Sequence, residues 1–211
     1  MNNKTLIVLS TALAVMVVLF HLSVKKQPSD DEASMFDSMS NQFKWQDRPA
    51  PDFTVEFLNG EKFTLSDQVG RKVFILNFFA TSCDPCTEEM PELVRYFEKH
   101  KNEPFLMIGI DADEPESAVL DFVRDHGVTY PVSIDRGGEL QKAFSVRSLP
   151  TTVFIGADGL VQTYEVGQIR NADIAFDLLL NTGLVAVQTG TGITKEAFLA
   201  LSSSQSMTGA R

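Results

Sequence analysis

Val73-Phe74-Ile75-Leu76-Asn77-Phe78-Phe79-Ala80-Thr81-Ser82-Cys83-Asp84-Pro85-Cys86 is the stretch on which the fold turns. Residues 72–80 form a nearly continuous apolar run. It is short and rich in β-branched and aromatic side chains, which suits a central strand buried on both faces. Beyond Cys86, the residues Met90, Leu93, Val94 and Phe97 recur at helical spacing, predicting a helix from Asp84 to about His100. A Cys-x-x-Cys tetrapeptide therefore sits where a buried strand hands over to a helix.

That context carries chemistry. Residues three apart in a first helical turn lie on one face, so the two sulfurs can approach disulfide geometry. Unpaired backbone N–H groups and the positive end of the helix dipole converge on the first sulfur. A thiolate is stabilised there, and the thiolate is the nucleophile. Pro85 has no N–H to lose in the first turn and presets φ for a helix. Cys83 is then the exposed attacker and Cys86 the buried resolver, exchanging through a mixed disulfide. Asp84 places a negative charge between the sulfurs, which favours the thiols and a reducing poise.

Rival readings fail on the same residues. Cys83 and Cys86 are the only two cysteines of the chain, so no third thiol is present for a structural disulfide. Haem attachment needs His after the second cysteine, and Thr87 stands there. A structural zinc site needs four ligands, and His21, His100 and His126 show no ligand spacing. Two inert buried cysteines fit the strand-to-helix context poorly.

Working outward, Phe53–Phe57 alternates, Asn59-Gly60 signals a turn, and Lys62–Leu65 returns, predicting an N-terminal hairpin. Phe105–Ile110 and Tyr130–Ile134 read as further strands, with a helix over Pro115–His126 between them. A short helix over Gly138–Phe144 follows. Thr151–Ile155 and Val161–Val166 flank Asp158-Gly159 as a second hairpin. A last helix covers Asn171–Leu180, closed by Gly183. The predicted class is α/β, a mixed sheet with helices on both faces.

The expected organisation is an anchor over 1–24, a linker over 25–48, the folded domain over 49–185 and a flexible tail over 186–211. Leu6–Val24 is 19 residues without charge. As a helix it would reach ~28 Å, close to the ~30 Å hydrocarbon core. Lys4, Lys25 and Lys26 flank it, and no small-x-small cleavage site follows, so an uncleaved anchor is favoured over a signal peptide. Lysines on both sides leave the orientation undecided. His21, inside that run, reads as an interfacial histidine. Phe43 and Trp45 are expected to dock on the domain. From Ala186 onward Thr, Gly, Ser and Gln dominate, with one isolated helix expected at Lys195–Leu201.

The chain carries 18 basic and 28 acidic residues, a net charge of −10. All the acidic residues follow position 26, leaving that part at −13. So acidic a body repels phosphate backbones, which removes nucleic acid from the expected partners.

The stretch Asn77–Cys86, with Glu89 and Pro91 after it and Ser148-Leu149-Pro150-Thr151-Thr152 later, resembles the thioredoxin superfamily. Within it, the chain is similar to the membrane-anchored TlpA/ResA-like thiol–disulfide reductases over about residues 49–183. The hairpin and an extra helix-strand at about 114–135 belong to that branch. The resemblance implies that Pro150 is a cis proline facing the sulfurs, with Leu149 bordering a groove for an extended substrate. Pro85, Leu149 and Pro150 are the expected substrate-binding residues. The resemblance also implies that Glu89 is an acid–base partner of Cys86; from residue type alone it reads as a solvated helix face. Pro91 is expected to kink its helix. The chain departs from the family at Ser82, where Trp is usual, and has Asn77 where many thioredoxins have Asp.

The expected function is reduction of protein disulfides outside the cytoplasm by a membrane-tethered dithiol. Its expected partners are an oxidised protein disulfide and a membrane-embedded thiol electron donor, with cytochrome c maturation as the implied pathway. No cofactor and no metal are expected. Two other classes compete. A thiol peroxidase wants Pro-x-x-x-Thr-x-x-Cys, and Leu76 and Ala80 occupy the first two places. A thiol chaperone or metal carrier would use the cysteines only to hold.

Overall fold

The computed structural model describes residue 40 and residues 44–190 and 193–206. The expected anchor over 1–24, with its Leu6–Val24 run and His21, lies outside the described residues. So do Phe43 and most of the linker. Among the described residues, no helix is long and apolar enough to cross a membrane.

A five-stranded sheet, in the order β5-β4-β3-β6-β7, organises the domain. Its centre is β3 (Val73–Phe79), with all seven residues buried. It runs parallel to β4 (Phe105–Asp111) and antiparallel to β6 (Thr151–Ile155). β7 (Val161–Val166) closes one edge antiparallel to β6, and β5 (Val132–Ile134) closes the other parallel to β4. The expected mixed sheet is the one observed. A separate hairpin pairs β1 (Thr54–Glu56) with β2 (Lys62–Thr64).

The period of two along β3 divides the core. Phe74, Leu76 and Phe78 join one cluster with the hairpin residues Val55, Phe57 and Phe63, and with Leu140 of α3 (Glu139–Ala143). Val73, Ile75 and Phe79 join the other. That second cluster holds Met90 and Leu93 of α1 (Asp84–His100), Val119 and Phe122 of α2 (Glu116–Asp125), and Phe176 and Leu180 of α4 (Ala172–Thr189). The expected extra helix-strand is present as α2 and β5. Both faces are thus covered, which a buried, partly parallel sheet requires.

Three expected boundaries are corrected. The linker does not run to residue 48: Trp45 is buried, its indole N–H donates to Phe144 O at 3.0 Å, and Asp47 N donates to Val161 O at 2.9 Å. The last helix of the sheet does not close at Gly183 but runs through it to Thr189. A Cβ at residue 183 would lie 2.2 Å from Val73 Cγ1, so this glycine marks a close helix–strand approach, not a stop. The helix expected in the tail at Lys195–Leu201 is present and runs on to Ser206. α5 (Lys195–Ser206) inserts the fully buried Phe198 against Gly159, at the turn between β6 and β7. A composition rich in Thr and Ser hid one apolar anchor.

Candidate active site

β3 ends at Phe79, and four residues later the chain enters α1 with Cys83 as its N-cap. Cys83 has an extended backbone, and its sulfur accepts the Cys86 N–H at 3.3 Å. The expected helix N-terminal environment is therefore formed around Cys83 Sγ. The two cysteines are joined as a disulfide with S–S 2.10 Å and Cα–Cα 5.2 Å. Cys83 is half-buried and Cys86 fully buried. Asp84 and Pro85 are exposed between them.

Leu149–Pro150 is a cis peptide bond. Pro150 immediately precedes β6, whose Thr151 pairs with Phe78 of β3, so Pro150 lies at the sheet end from which the cysteine loop leaves. Half-buried Leu149 and Cys83 pack against the same apolar cluster. Pro150 is buried, and its carbonyl accepts Gly167 N–H at 2.8 Å.

Glu89 is not a solvated helix residue. It is fully buried one helical turn beyond Cys86. Its Oε1 accepts from Asn77 Nδ2 and its Oε2 from Ile169 N–H, both at 2.8 Å. Burial pushes the carboxyl up to about 7, against the opposing bonds from Ile169 and Asn77. Such a group can take up or release a proton near neutrality. Asn77 also donates to Thr152 Oγ1 at 3.1 Å, tying the acid to the strand that follows Pro150. α1 continues through Pro91 as one element.

An acidic pair at the end of β4, which sequence reasoning did not single out, also borders the site. Asp111 is fully buried, and Glu114, three residues on, reaches back to the cysteine loop. Glu114 Oε1 accepts from Thr81 Oγ1 at 2.9 Å, and Oε2 accepts the Thr81 N–H. The one available signal was an aspartate ending an apolar strand run. Elsewhere, ligand-type atoms of His100, Asp173 and Asp177 lie within 4.8 Å of one another. Arg95 and Lys99 each reach Asp173 at 2.8 Å, so the group reads as an ion-pair network between α1 and α4. Folding brings these helices together, and spacing along the chain does not show it.

Residues 46–164 match the AhpC/TSA family. A thiol-disulfide oxidoreductase ResA of Bacillus thuringiensis subsp. konkukian is 43% identical over 114 residues, 54% of this chain. That match spans 65% of the relative's own length. The thiol-disulfide oxidoreductase ResA of Bacillus subtilis is 34% identical over 59% of this chain and 69% of its own. Among solved structures, a thiol:disulfide interchange protein of the thioredoxin family from Chlorobium tepidum aligns with TM-score 0.58 at 32% identity. It covers 66% of this chain and 97% of its own.

Proposed function

The chain belongs to the AhpC/TSA family, and we propose that it is a thiol–disulfide oxidoreductase that reduces disulfides in protein substrates. The observation that carries this reading is the closed Cys83–Cys86 pair at the N-terminus of α1, with one cysteine half-buried and the other fully buried. The relatives' printed names support the same chemistry.

In the working direction the reduced protein begins with Cys83 as thiolate. It attacks one sulfur of the substrate disulfide, forming a mixed disulfide and releasing the other substrate sulfur as thiolate. Cys86 then loses its proton to the Glu89 carboxylate and attacks Cys83 Sγ. The second substrate sulfur leaves, and the protein ends with the Cys83–Cys86 bond. Two electrons pass to the substrate, and a dithiol donor restores the starting state. Pro85, Leu149 and Pro150 are the proposed substrate-binding residues, where an extended segment of substrate would add as a strand does.

The finer reading places the domain outside the cytoplasm, tethered by residues 1–24 and recharged by a membrane-embedded thiol. The uncharged Leu6–Val24 run supports it. Cytochrome c maturation is the proposed pathway, as the resemblance to the TlpA/ResA-like reductases implies. The peroxidase reading is disfavoured by Leu76 and Ala80, which supply neither the proline nor the threonine of that motif.

Cys83→Ser is expected to abolish reduction of insulin disulfides, read as turbidity with dithiothreitol as donor, while far-UV circular dichroism stays native. Retained turnover would overturn the mechanism. Deleting residues 1–24 is expected to move the protein from the membrane fraction to the soluble one.

A further inference from the structure

The loop that delivers Cys83 is held by a group the exchange chemistry does not consume. Glu114 closes two bonds on Thr81, one to its backbone N–H and one to its hydroxyl. Its own backbone N–H donates to Asp111 Oδ1 at 2.8 Å, and Arg136 Nη1 donates to its carbonyl at 3.3 Å. Asp111 lies directly across from Phe79 in the β3–β4 ladder, and Ala112 N donates to Phe79 O at 3.0 Å. The clamp is therefore anchored on the strand beside the one that launches the loop.

Asp111 Oδ2 is buried and meets no donor among the described residues. The Asp111 and Glu114 carboxyls act on each other, three residues apart and joined through the Glu114 N–H on Asp111 Oδ1. Two carboxylates cannot bond each other without a proton between them. We propose that Glu114 is a positioning residue for Cys83, that a proton on Asp111 holds it against Thr81, and that losing this proton releases the loop. The proposal rests on the dithiol reading above for its functional meaning, but not for its geometry.

The surroundings agree. Burial pushes Asp111 up to about 7, opposed by the Glu114 N–H and reinforced by the facing Glu114 carboxyl. Burial also acts to raise Glu114, but bonds from Thr81, Asp111 and Ser82 outweigh it and leave this carboxyl below its ordinary range. Arg136, in the 3-10 turn 136–138, is the cation facing the pair and is shared with Asp113 and Glu116 at 3.8 and 3.6 Å. Asp135 donates its backbone N–H to Asp111 O at 2.9 Å, while its carboxylate is taken by the N–H groups of Leu140 and Gln141. From the cysteine side the uncharged Thr81 and Ser82 bond to Glu114. Ionising Asp111 thus puts a second negative charge against Glu114 with one shared arginine to offset it.

The test is hydrogen exchange of the Thr81 amide in the oxidised protein, followed by NMR at pH 5.5 and pH 8.5 and corrected for intrinsic base catalysis. We expect at least a tenfold excess acceleration at the higher pH. Asp111→Asn keeps a donor toward Glu114 and an acceptor for its N–H but cannot ionise, so it should remove the excess. Glu114→Ala should speed exchange at both pH values, and Glu114→Asp should restore part of the protection. In turnover, Asp111→Asn should flatten the fall of kcat/KM above pH 7 relative to the parent. No excess in the parent, or an equal excess in Asp111→Asn, would overturn the proposal. Because exchange is read without substrate, this outcome is separable from a failure of disulfide reduction in the Cys83→Ser comparison.

Discussion

Asn77 Nδ2 holds Glu89 Oε1 at 2.8 Å, across the junction between the central strand and the helix that carries both cysteines. Asn77 stands where an ionisable aspartate is usual among thioredoxins. In the proposed mechanism Glu89 handles the proton, and the Asn77 amide orients its carboxyl. The carboxylate is thereby fixed on the face of α1 that bears the buried Cys86.

A pH dependence of stability follows from Glu89. Its folded value, about 7, is raised above the ordinary 4.5 by burial. The folded state then binds more protons than the unfolded state between those values, so stability falls as pH rises from about 4.5 to 7. The loss from this group is about 3 kcal/mol at most. Glu89→Gln should remove its part of that slope in urea titrations at a series of pH values. Asp111, also raised by burial, adds slope in the same direction, and the lowered carboxyls of Glu92, Glu114 and Asp173 oppose it.

The same substitution should slow the chemistry. With no base beside Cys86, resolution of the mixed disulfide should drop by about 10²-fold. Attack by Cys83 should change far less. Stopped-flow measurement of the two phases separates them.

Cys86→Ala should trap what Cys83 attacks. With the resolver gone, the mixed disulfide cannot be released from within the protein, and a covalent adduct should accumulate on Cys83. Mass spectrometry of the adduct then names the substrate. An adduct that forms equally well in Cys83→Ser would show that the capture is unspecific.

Gly183→Ala tests the close approach of α4 to β3. The added methyl would meet Val73 Cγ1 at 2.2 Å, so one of the two elements must move. Overpacking of this kind costs about 1–3 kcal/mol, more than the helix gains from alanine. A Tm lower by several degrees is expected.

Phe198→Ala tests the docked C-terminal helix. Phe198 is fully buried against the Gly159 turn. Its loss should cost about 3–5 kcal/mol if the site cannot collapse. Denaturant unfolding measures this, and an effect near zero would mean that α5 contributes nothing to the domain.

Local pattern was enough for much of this molecule. The apolar run 73–79 and the periodicity of 84–100 make the strand and helix evident. Cys83 and Cys86 are legible because their chemistry depends on spacing within one helical turn, which the chain itself carries. The cysteines' unequal burial follows from the same helix. Other features depend on elements far apart in sequence. Glu89 reads as solvated until Asn77 and Ile169 close over it, and Gly183 reads as a helix end until Val73 is seen against it. Phe198 is lost in a polar tail until the Gly159 turn receives it. Asp111 and Glu114 look like ordinary loop acids until β4 lies beside β3 and brings them to Thr81. Short-range periodicity determined the elements and the dithiol, because hydrogen bonding and side-chain direction repeat within a few residues. Tertiary packing alone decided which carboxyls are buried, because desolvation depends on neighbours that the chain brings from a distance.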